Sequence, residues 1–265
     1  MPNDRRGSLS PSERQRKILD FVMAAGQATA AELTEVTGRS LMTVHRDIDD
    51  LSTRGLVRKF HGGVSALPTS VFESSSDFRM NRRTEAKEAL ARVAAEFVEP
   101  GSSVMLDDST TVLALARLLA PRGALTIVTN YRQVLELTRE NPDLNVIIIG
   151  GRYSLTHDSF IGPPDQTNIE AYAVDIAFQS TSTMDTRMTY HQEQDVVSMK
   201  RVQLHTGRRR VLMMDGSKVG HTSLFRYASI ADFTDVILTD DVPSATVDAI
   251  AEVTAVHIAR IEHPS

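Results

Sequence analysis

The N-terminal part of the chain contains three segments in which apolar residues recur at the spacing of one α-helical face. The first begins at Ser10-Pro11, a serine cap followed by proline at the first helical position, and ends at Gly26. The second begins at Thr29, where Glu32 completes a capping box. The third runs from residue 40 to residue 54, before a glycine stop. The apolar positions that define the three faces are Ile18, Leu19, Val22, Met23, Ala31, Leu33, Val36, Val44, Ile48 and Leu51.

A short hairpin is predicted directly after the third helix. Residues 56–64 read LVRKFHGGV, and Gly62-Gly63 fits the turn, where a positive φ is tolerated in glycine. Two short helices around a glycine turn, followed by a longer helix, form the arrangement that places one helix in the major groove of DNA. The pattern is equally compatible with a three-helix domain whose charged face is only solvated.

The third helix and the hairpin carry the candidate DNA contacts. With Val44, Ile48 and Leu51 turned toward the core, the opposite face of the helix is polar. Such side chains can donate hydrogen bonds to phosphate oxygens or to base edges. The candidate contacts are Thr29, which begins the second helix, then Arg39, Ser40, Thr43, His45 and Arg46 on the third helix, and Arg58, Lys59 and His61 on the hairpin.

From residue 85 onward, short apolar runs alternate with helical stretches. Helices are predicted over residues 85–98, 112–119 and 131–139, and strands over residues 103–106, 125–128, 145–149, 174–179, 210–214, 236–238 and 256–258. This alternation predicts an α/β fold with a mostly parallel sheet covered by helices on both faces. Ligands of such sheets bind beyond the carboxyl ends of the strands.

Polar residues follow four of the predicted strands. Residues 107–111 read DDSTT and open a helix, where hydroxyls and free amides can bind a phosphate and Asp107 can accept sugar hydroxyls. The other strand ends are Gly150-Gly151, Ser180–Thr183 and Asp215–Lys218, the last with a lysine that can neutralise a phosphate. Each cluster alone also fits a helix cap or a turn, but four at one sheet edge favour a binding site.

Composition and charge narrow the possible functions. The 265 residues are 41% hydrophobic and 24% charged, which is typical of a globular protein. The absence of cysteine excludes disulfides, thiolate metal sites and a cysteine nucleophile. The net charge is −5, yet residues 1–70 contain ten Lys/Arg and eight Asp/Glu, which suggests a mildly basic domain before an acidic one. We find no membrane span and no secretory signal, and we expect a cytoplasmic protein.

The usual signatures of cofactor and metal chemistry are missing from the sequence. No Gly-x-Ser-x-Gly elbow, Gly-x-Gly-x-x-Gly motif, Walker loop or His-x-x-x-His pair occurs. The eight histidines are scattered, and His191 near Glu193 is interpreted as a surface pair rather than a ligand set. We therefore predict no cofactor and no metal site.

The N-terminal segment resembles the DeoR-type winged helix-turn-helix. That signature reads Ser-x-x-Thr-Ile-Arg-Arg-Asp-Leu and then Gly-x-x-x-Arg-x-His-Gly-Gly; residues 40–48 read SLMTVHRDI and residues 55–63 read GLVRKFHGG. The resemblance implies that Ser40, Thr43 and Arg46 lie on the recognition helix. His45 stands where the family usually has the first of two arginines, which removes one permanent charge and makes pH-sensitive binding plausible, since the pKa of histidine is about 6.5.

The remainder resembles the C-terminal sensor domain of DeoR-type regulators, which is similar in fold to ribose-5-phosphate isomerase and commonly binds phosphorylated sugars. The resemblance lies in residues 107–111, 128–130, 150–153, 200–201, 215–220 and 238–240. Carried over by position, the effector contacts it implies are Asp107, Ser109, Thr110, Thr111, Gly150, Lys200 and Lys218. The sequence departs from the pattern at Asp108, whose charge would repel a phosphate, at residues 180–185, and in the loop that holds His157 and Asp158.

These observations predict three parts: a winged helix-turn-helix domain over residues 1–64, a linker over residues 65–77 and an effector-sensing domain over residues 78–265. We expect a homo-oligomer, dimer or tetramer, that binds operator DNA and represses carbohydrate-metabolism genes under the control of a phosphorylated sugar or related metabolite. The alternative is a phosphosugar isomerase fused to a DNA-binding head. Its base would come from Asp185, Glu193 or Asp195.

Overall fold

A computed structural model describes residues 10–53, 56–66, 76–80, 82–162 and 168–262. The chain forms two compact units, Met1–Ser75 and Ser76–Ser265. Residues 54 and 55, the predicted end of the third helix, and residues 67–75 of the predicted linker lie outside the described ranges. No helix in those ranges is long and apolar enough to cross a membrane.

The first unit contains the three predicted helices and the predicted hairpin. Its elements are α1 (Pro11–Ala25), β1 (Gln27–Thr29), α2 (Ala30–Thr37), α3 (Leu41–Thr53), β2 (Val57–Phe60) and β3 (Gly63–Ala66). Capping boxes begin α1 at Ser10 and α2 at Thr29, as the sequence predicts. The three short strands form an antiparallel sheet in the order β1-β3-β2. The winged helix-turn-helix fold is confirmed.

A close backbone contact ties the hairpin to the strand before α2. β3 pairs with both β1 and β2, so Gly63 lies opposite Thr29 on one side and Phe60 on the other. A Cβ atom at Gly63 would clash with the carbonyl oxygen of Ala28. Glycine is therefore needed here for close approach between strands.

The second unit is built on a seven-stranded parallel sheet in the order β15-β14-β12-β9-β4-β5-β6. The strands of this sheet are β4 (Ser103–Leu106), β5 (Leu125–Thr129), β6 (Leu144–Ile148), β9 (Val174–Gln179), β12 (Gly207–Met214), β14 (Asp235–Thr239) and β15 (Ala255–Ala259). The helices are α4 (Ser76–Met80), α5 (Thr84–Ala95), α6 (Thr110–Leu119), α7 (Arg132–Thr138), α8 (Gln194–Thr206) and α9 (Ser244–Ala251). The predicted α/β fold is confirmed.

Alternate side chains of the strands pack against helices on opposite faces of the sheet. Leu106 and Phe178 belong to the core that includes residues of α5 and α6. Met105 and Ala177 instead pack with Met199 of α8. The sheet is therefore buried on both faces, which explains why its strands read as short apolar runs.

Strand order reverses between β4 and β9. The chain adds β5 and β6 on one side of β4, then returns to place β9 on the other side. The segments that leave β4 and β9 diverge at their carboxyl ends, and such a switch point is where open α/β sheets bind ligands.

Two small antiparallel elements were not predicted. One is the hairpin of β7 (Arg152–Ser154) and β8 (Ser159–Ile161), and the other is a sheet of β10 (Thr183–Met184), β11 (Met188–His191) and β13 (Phe225–Ser229). Both follow strand ends of the main sheet and surround the switch point.

Candidate functional site

The exposed face of α3 carries the predicted DNA contacts of the first unit. Val44, Ile48 and Leu51 are buried, so the helix turns its other face outward. On that face His45 and Arg46 are exposed, while Thr43 is half-buried. Of the two residues before the helix, Ser40 is exposed and Arg39 is half-buried. The structure thus brings these five predicted residues to the N-terminal half of α3.

Two of the predicted hydroxyl contacts, Ser40 and Thr29, already serve as helix caps. The amide of Thr43 donates to Ser40 Oγ at 3.4 Å, and the two hydroxyl oxygens lie 3.0 Å apart. Thr29 accepts from the amide of Glu32 at 3.2 Å, and its hydroxyl donates to the carboxylate of that residue at 2.8 Å. These hydroxyls fix the starts of two helices.

Asp47 fixes the orientation of α3 against α1, a role the sequence analysis missed. Its buried carboxylate accepts both a bond from Arg14 Nη2 at 2.8 Å and a bond from Arg14 Nε. A bidentate guanidinium pair is geometrically specific, so it sets the angle at which α3 leaves the core. The sequence signal for this role was that Asp47 lies three residues after Val44, on the apolar face of α3.

The hairpin residues Arg58, Lys59 and His61 are exposed. Lys59 pairs with Asp49 of α3, and this hydrogen-bonded ion pair lowers the pKa of Asp49. Lys59, a predicted DNA contact, therefore neutralises a carboxylate of α3.

Asp107 is the centre of the switch-point site in the second unit. It is fully buried directly after β4 and accepts from the amides of Ser109 and Ser180, each at 3.0 Å. It also accepts from Lys200 Nζ, which in turn donates to the carbonyl oxygen of Ser180 at 3.1 Å. The structure therefore brings the predicted residues Asp107 and Lys200 together, as a pair that joins the ends of β4 and β9.

Asp108 is compensated by the same lysine. Its carboxylate lies 3.4 Å from Lys200 Nζ and accepts from the hydroxyl of Ser159 at 2.7 Å. Burial opposes ionisation, but Lys200, His157 and the Ser159 hydroxyl together hold the pKa of Asp108 well below its usual range. The carboxylate of Asp108 is thus paired with a lysine, whereas the sequence suggested an unpaired charge.

The N-terminus of α6 presents donors at this site. Ser109 caps the helix by accepting from the amide of Val112 at 3.1 Å. The amides of Thr110 and Thr111 occupy the first turn, where no partner exists within the helix. The buried hydroxyl of Thr111 has no hydrogen-bond partner within the described ranges.

Lys87 is a site residue that the sequence analysis did not single out. It is 5% exposed, and its Nζ donates to the carbonyl oxygen of Arg79, the atom that Thr110 Oγ1 also approaches at 3.5 Å. Burial, followed by the charges of Lys218 and Arg79, lowers the pKa of Lys87 to about 7. The signal in the sequence was a lysine three residues before Leu90, on the buried face of α5.

Lys218 approaches the same region from the end of β12. Its Nζ lies 3.4 Å from Ser180 Oγ and 3.8 Å from Asp215 Oδ2. Asp215 also lies 3.6 Å from Arg83 Nε, so two cations share one carboxylate. Burial lowers the pKa of Lys218.

Gly150 lies apart from these residues. It follows β6, the edge strand, which β5 separates from β4. It is exposed, and a Cβ atom there would meet nothing within 4 Å. An effector contact at Gly150 stays a prediction.

A second polar cluster borders the site between the β7–β8 hairpin and the start of α8. His157 Nε2 lies 3.0 Å from Glu193 Oε2, and the amide of Glu193 donates to Nδ1 of His191 at 3.1 Å. His191 is 4% exposed, so its interpretation as a surface residue was wrong. Burial and the neighbouring Lys200 lower the pKa of His191 to about 3. The neutral ring therefore carries its proton on Nε2. Within the described ranges, no group of histidines and carboxylates is arranged to hold a metal ion.

Asp185, one carboxylate considered for isomerase chemistry, is held ionised. It accepts from Tyr190 Oη at 2.7 Å and from the amides of Arg187 and Met188. Although burial opposes ionisation, these bonds lower the pKa of Asp185. A general base for aldose–ketose isomerisation would need its pKa raised toward neutrality.

Comparison with known proteins places both units among DeoR-type domains. Residues 14–70 match the model of the DeoR-like helix-turn-helix domain, and residues 82–241 match that of the DeoR C-terminal sensor domain. An uncharacterised HTH-type transcriptional regulator of Escherichia coli K12 is 31% identical over 92% of this chain and 96% of its own length.

Two relatives have names that state what they regulate or do. The glycerol-3-phosphate regulon repressor of E. coli K12 is 29% identical over 90% of this chain and 94% of its own. The transcriptional repressor AccR of Agrobacterium fabrum is 29% identical over 92% and 95%. Among solved structures, ribose 5-phosphate isomerase A of Methanocaldococcus jannaschii aligns with a TM-score of 0.38 at 16% identity, covering 51% of this chain and 54% of that one.

Proposed function

The chain belongs to the DeoR family of transcriptional regulators, and from that premise we propose that it represses carbohydrate-metabolism genes and releases their operators on binding a phosphorylated sugar or polyol. In this proposal the two units have different roles. Residues 1–64 bind operator DNA, residues 65–77 link the two domains, and residues 78–265 bind the effector. Because its target is DNA, we expect the protein in the cytoplasm.

The observation that carries the effector proposal is the position of Lys87. A buried ammonium group lies at the N-terminus of α6, where the helix dipole is also positive. Among the described residues, no carboxylate lies within ion-pair distance of its Nζ. Its surroundings thus favour a bound anion, which would neutralise an uncompensated charge.

The donors around Lys87 suit a phosphate group. The described residues offer the amides of Thr110 and Thr111, the Thr111 hydroxyl, which has no hydrogen-bond partner among them, and the ammonium group of Lys218. Asp107 and Lys200 are occupied by each other and support the site. The neutral His191 offers Nε2–H to an uncharged oxygen of the effector. The glycerol-3-phosphate regulon repressor, a relative over most of the chain, is named for a phosphorylated polyol.

DNA binding is assigned to the N-terminal half of α3 and to the hairpin. We propose that Arg46 and His45 contact base edges and that Arg58 and His61 contact phosphate oxygens, since all four side chains are exposed. One unit offers few basic contacts, so useful affinity requires a dimer or tetramer with matching half-sites. No enzymatic step is assigned, because the hydrogen bonds that lower the pKa of Asp185 make its carboxylate a weak general base.

Thermal unfolding of the full-length chain tests the effector proposal. The ligands are inorganic phosphate, ribose 5-phosphate and glycerol 3-phosphate, each compared with its unphosphorylated counterpart where one exists. We expect the phosphorylated compounds to raise the unfolding temperature, since a ligand stabilises the state that binds it. Lys87→Met should abolish the shift, whereas Lys17→Met, at an exposed lysine of α1, should preserve it. Equal stabilisation by ribose and ribose 5-phosphate, or no stabilisation by any phosphate, would contradict the proposal.

A further inference from the structure

The recognition helix carries two exposed apolar side chains in its first turn. Met42 is 78% exposed, and the preceding Leu41 is 51% exposed. Both lie in the first turn of α3, among the polar residues assigned to DNA binding. An apolar thioether side chain exposed to water gains no free energy from burial. This position therefore suits contact with an apolar surface on a partner.

Helical spacing places Met42 beside Arg46. The two residues are four apart, so they are neighbours on one face of the helix. That face is opposite the buried Val44 and Ile48, which turn toward the core. Met42 and Arg46 therefore approach the same partner together.

Charge decides which end of α3 enters the groove. The C-terminal half of the exposed face carries Asp49 and Asp50, which DNA phosphates repel. Lys59 neutralises Asp49, and Gln15 Nε2 lies 3.4 Å from Asp50 Oδ2, so the acidic end is held within its own unit. The N-terminal half, with Met42 and Arg46, is the part free of carboxylates on the exposed face.

We propose that Met42 determines operator specificity by contacting the 5-methyl group of a thymine in the major groove. Each base pair presents hydrogen-bonding groups there, and the thymine methyl is the one apolar group among them. The inference rests on the proposed role of α3 in DNA binding and adds a base preference to it. It assigns an A·T pair to a position next to the base that Arg46 contacts.

Replacement of thymine by deoxyuridine tests this contact directly, because deoxyuridine lacks only the methyl group. Duplexes are first recovered from a random-sequence library with the full-length chain in the absence of phosphorylated ligands. Each thymine of a recovered duplex is then replaced in turn, and affinities are measured for the wild-type chain and for Met42→Ala. At one thymine in each half-site, we expect the wild-type chain to lose about fourfold in affinity for each methyl removed.

The variant should show no further loss at that thymine. Met42→Ala should bind the thymine duplex about as weakly as the wild-type chain binds the deoxyuridine duplex. Its dependence on salt concentration should be unchanged, because no phosphate contact is lost. Leu155→Ala is the matched control: Leu155 is 77% exposed in the second unit and should leave the thymine-to-deoxyuridine ratio at the wild-type value.

Two results would overturn the inference while leaving the DNA-binding role intact. One is a wild-type chain for which every thymine can be replaced without loss. The other is a Met42→Ala variant that keeps the wild-type ratio. If the wild-type chain recovers no duplex at all, the DNA-binding role of α3 is itself overturned, and the inference with it.

Discussion

Lys87 lies in surroundings that oppose its charged form. An ammonium group is buried beside a helix N-terminus and beside a second lysine, so its charged form is destabilised. The signal in the sequence is a lysine on the inner face of α5, but it does not reveal which groups lie around the ammonium group. Only the approach of α6 and of the β12 end shows what surrounds it.

The buried lysine predicts how stability depends on pH. The pKa of Lys87 is about 7 in the folded protein and 10.5 as a free side chain, so between these values the unfolded chain binds more protons. The free energy of unfolding of the unliganded protein should therefore rise with pH between about 7 and 10.5, and this contribution should be lost as pH falls back to about 7. Lys87→Met should flatten that rise in denaturant unfolding between about pH 7 and 9.5.

The exposed lysine variant provides the comparison for this experiment. Lys17→Met changes the same side chain in a solvated position of α1. It should retain the wild-type pH dependence. A Lys87→Met variant with an unchanged slope would show that this lysine does not cause it.

Arg46 supports a prediction about base recognition. It is exposed and lies on the outward face of α3. Arg46→Ala should weaken operator binding by about 1–3 kcal/mol and relax selectivity at one base position. Affinity measured on the recovered duplex and on its single-base variants checks this. Full affinity with full selectivity would remove Arg46 from base recognition.

At the scale of elements, the sequence predicts the regular parts of both units well. The three helices of the first unit and all seven strands of the main sheet follow from apolar spacing, caps and turns. The β7–β8 hairpin and the β10-β11-β13 sheet do not, because their short strands mix polar with apolar residues and lack the continuous apolar run that marks the strands of the main sheet. These missed elements bring His157 and His191 to the border of the site, which is why their roles could not be predicted.

The Arg14–Asp47 pair joins α1 to α3, and its removal should weaken the attachment of α3. Asp47→Asn removes a buried charge partner and leaves the guanidinium group of Arg14 partly desolvated. We expect the first unit to lose about 1–3 kcal/mol of stability. Amide hydrogen exchange along α1 and α3 should accelerate accordingly. Asp50→Asn, on the exposed face, should leave exchange unchanged, and equal protection in both variants would contradict the role of Asp47.

At the scale of the whole molecule, the proposed function requires an oligomer. Two recognition helices related by a twofold axis should read half-sites whose centres lie about 34 Å apart, or a multiple of that distance. Inserting about five base pairs between the half-sites should therefore abolish tight binding, and inserting about ten should restore it. Gel-shift titration of the spacing series checks this. Equal affinity at every spacing would contradict recognition by a symmetric oligomer.

Ligand control predicts a separation between DNA binding and its release. Lys218→Ala should leave operator affinity intact, because Lys218 belongs to the second unit. It should blunt release by ribose 5-phosphate, since an effector shifts the equilibrium only by its differential affinity, typically about 1–3 kcal/mol. Full release at the wild-type ligand concentration would argue against a phosphate beside Lys218.

If the effector anion binds beside Lys87, as proposed, this ammonium group also links metabolite sensing to the acidity of the cell. An anion that binds there would favour the charged amine, so each binding event near neutral pH would draw part of a proton from solution. At mildly alkaline pH the protein would then bind the metabolite more weakly and stay bound to its operators. A fall in internal pH would let the same amount of metabolite switch the genes on.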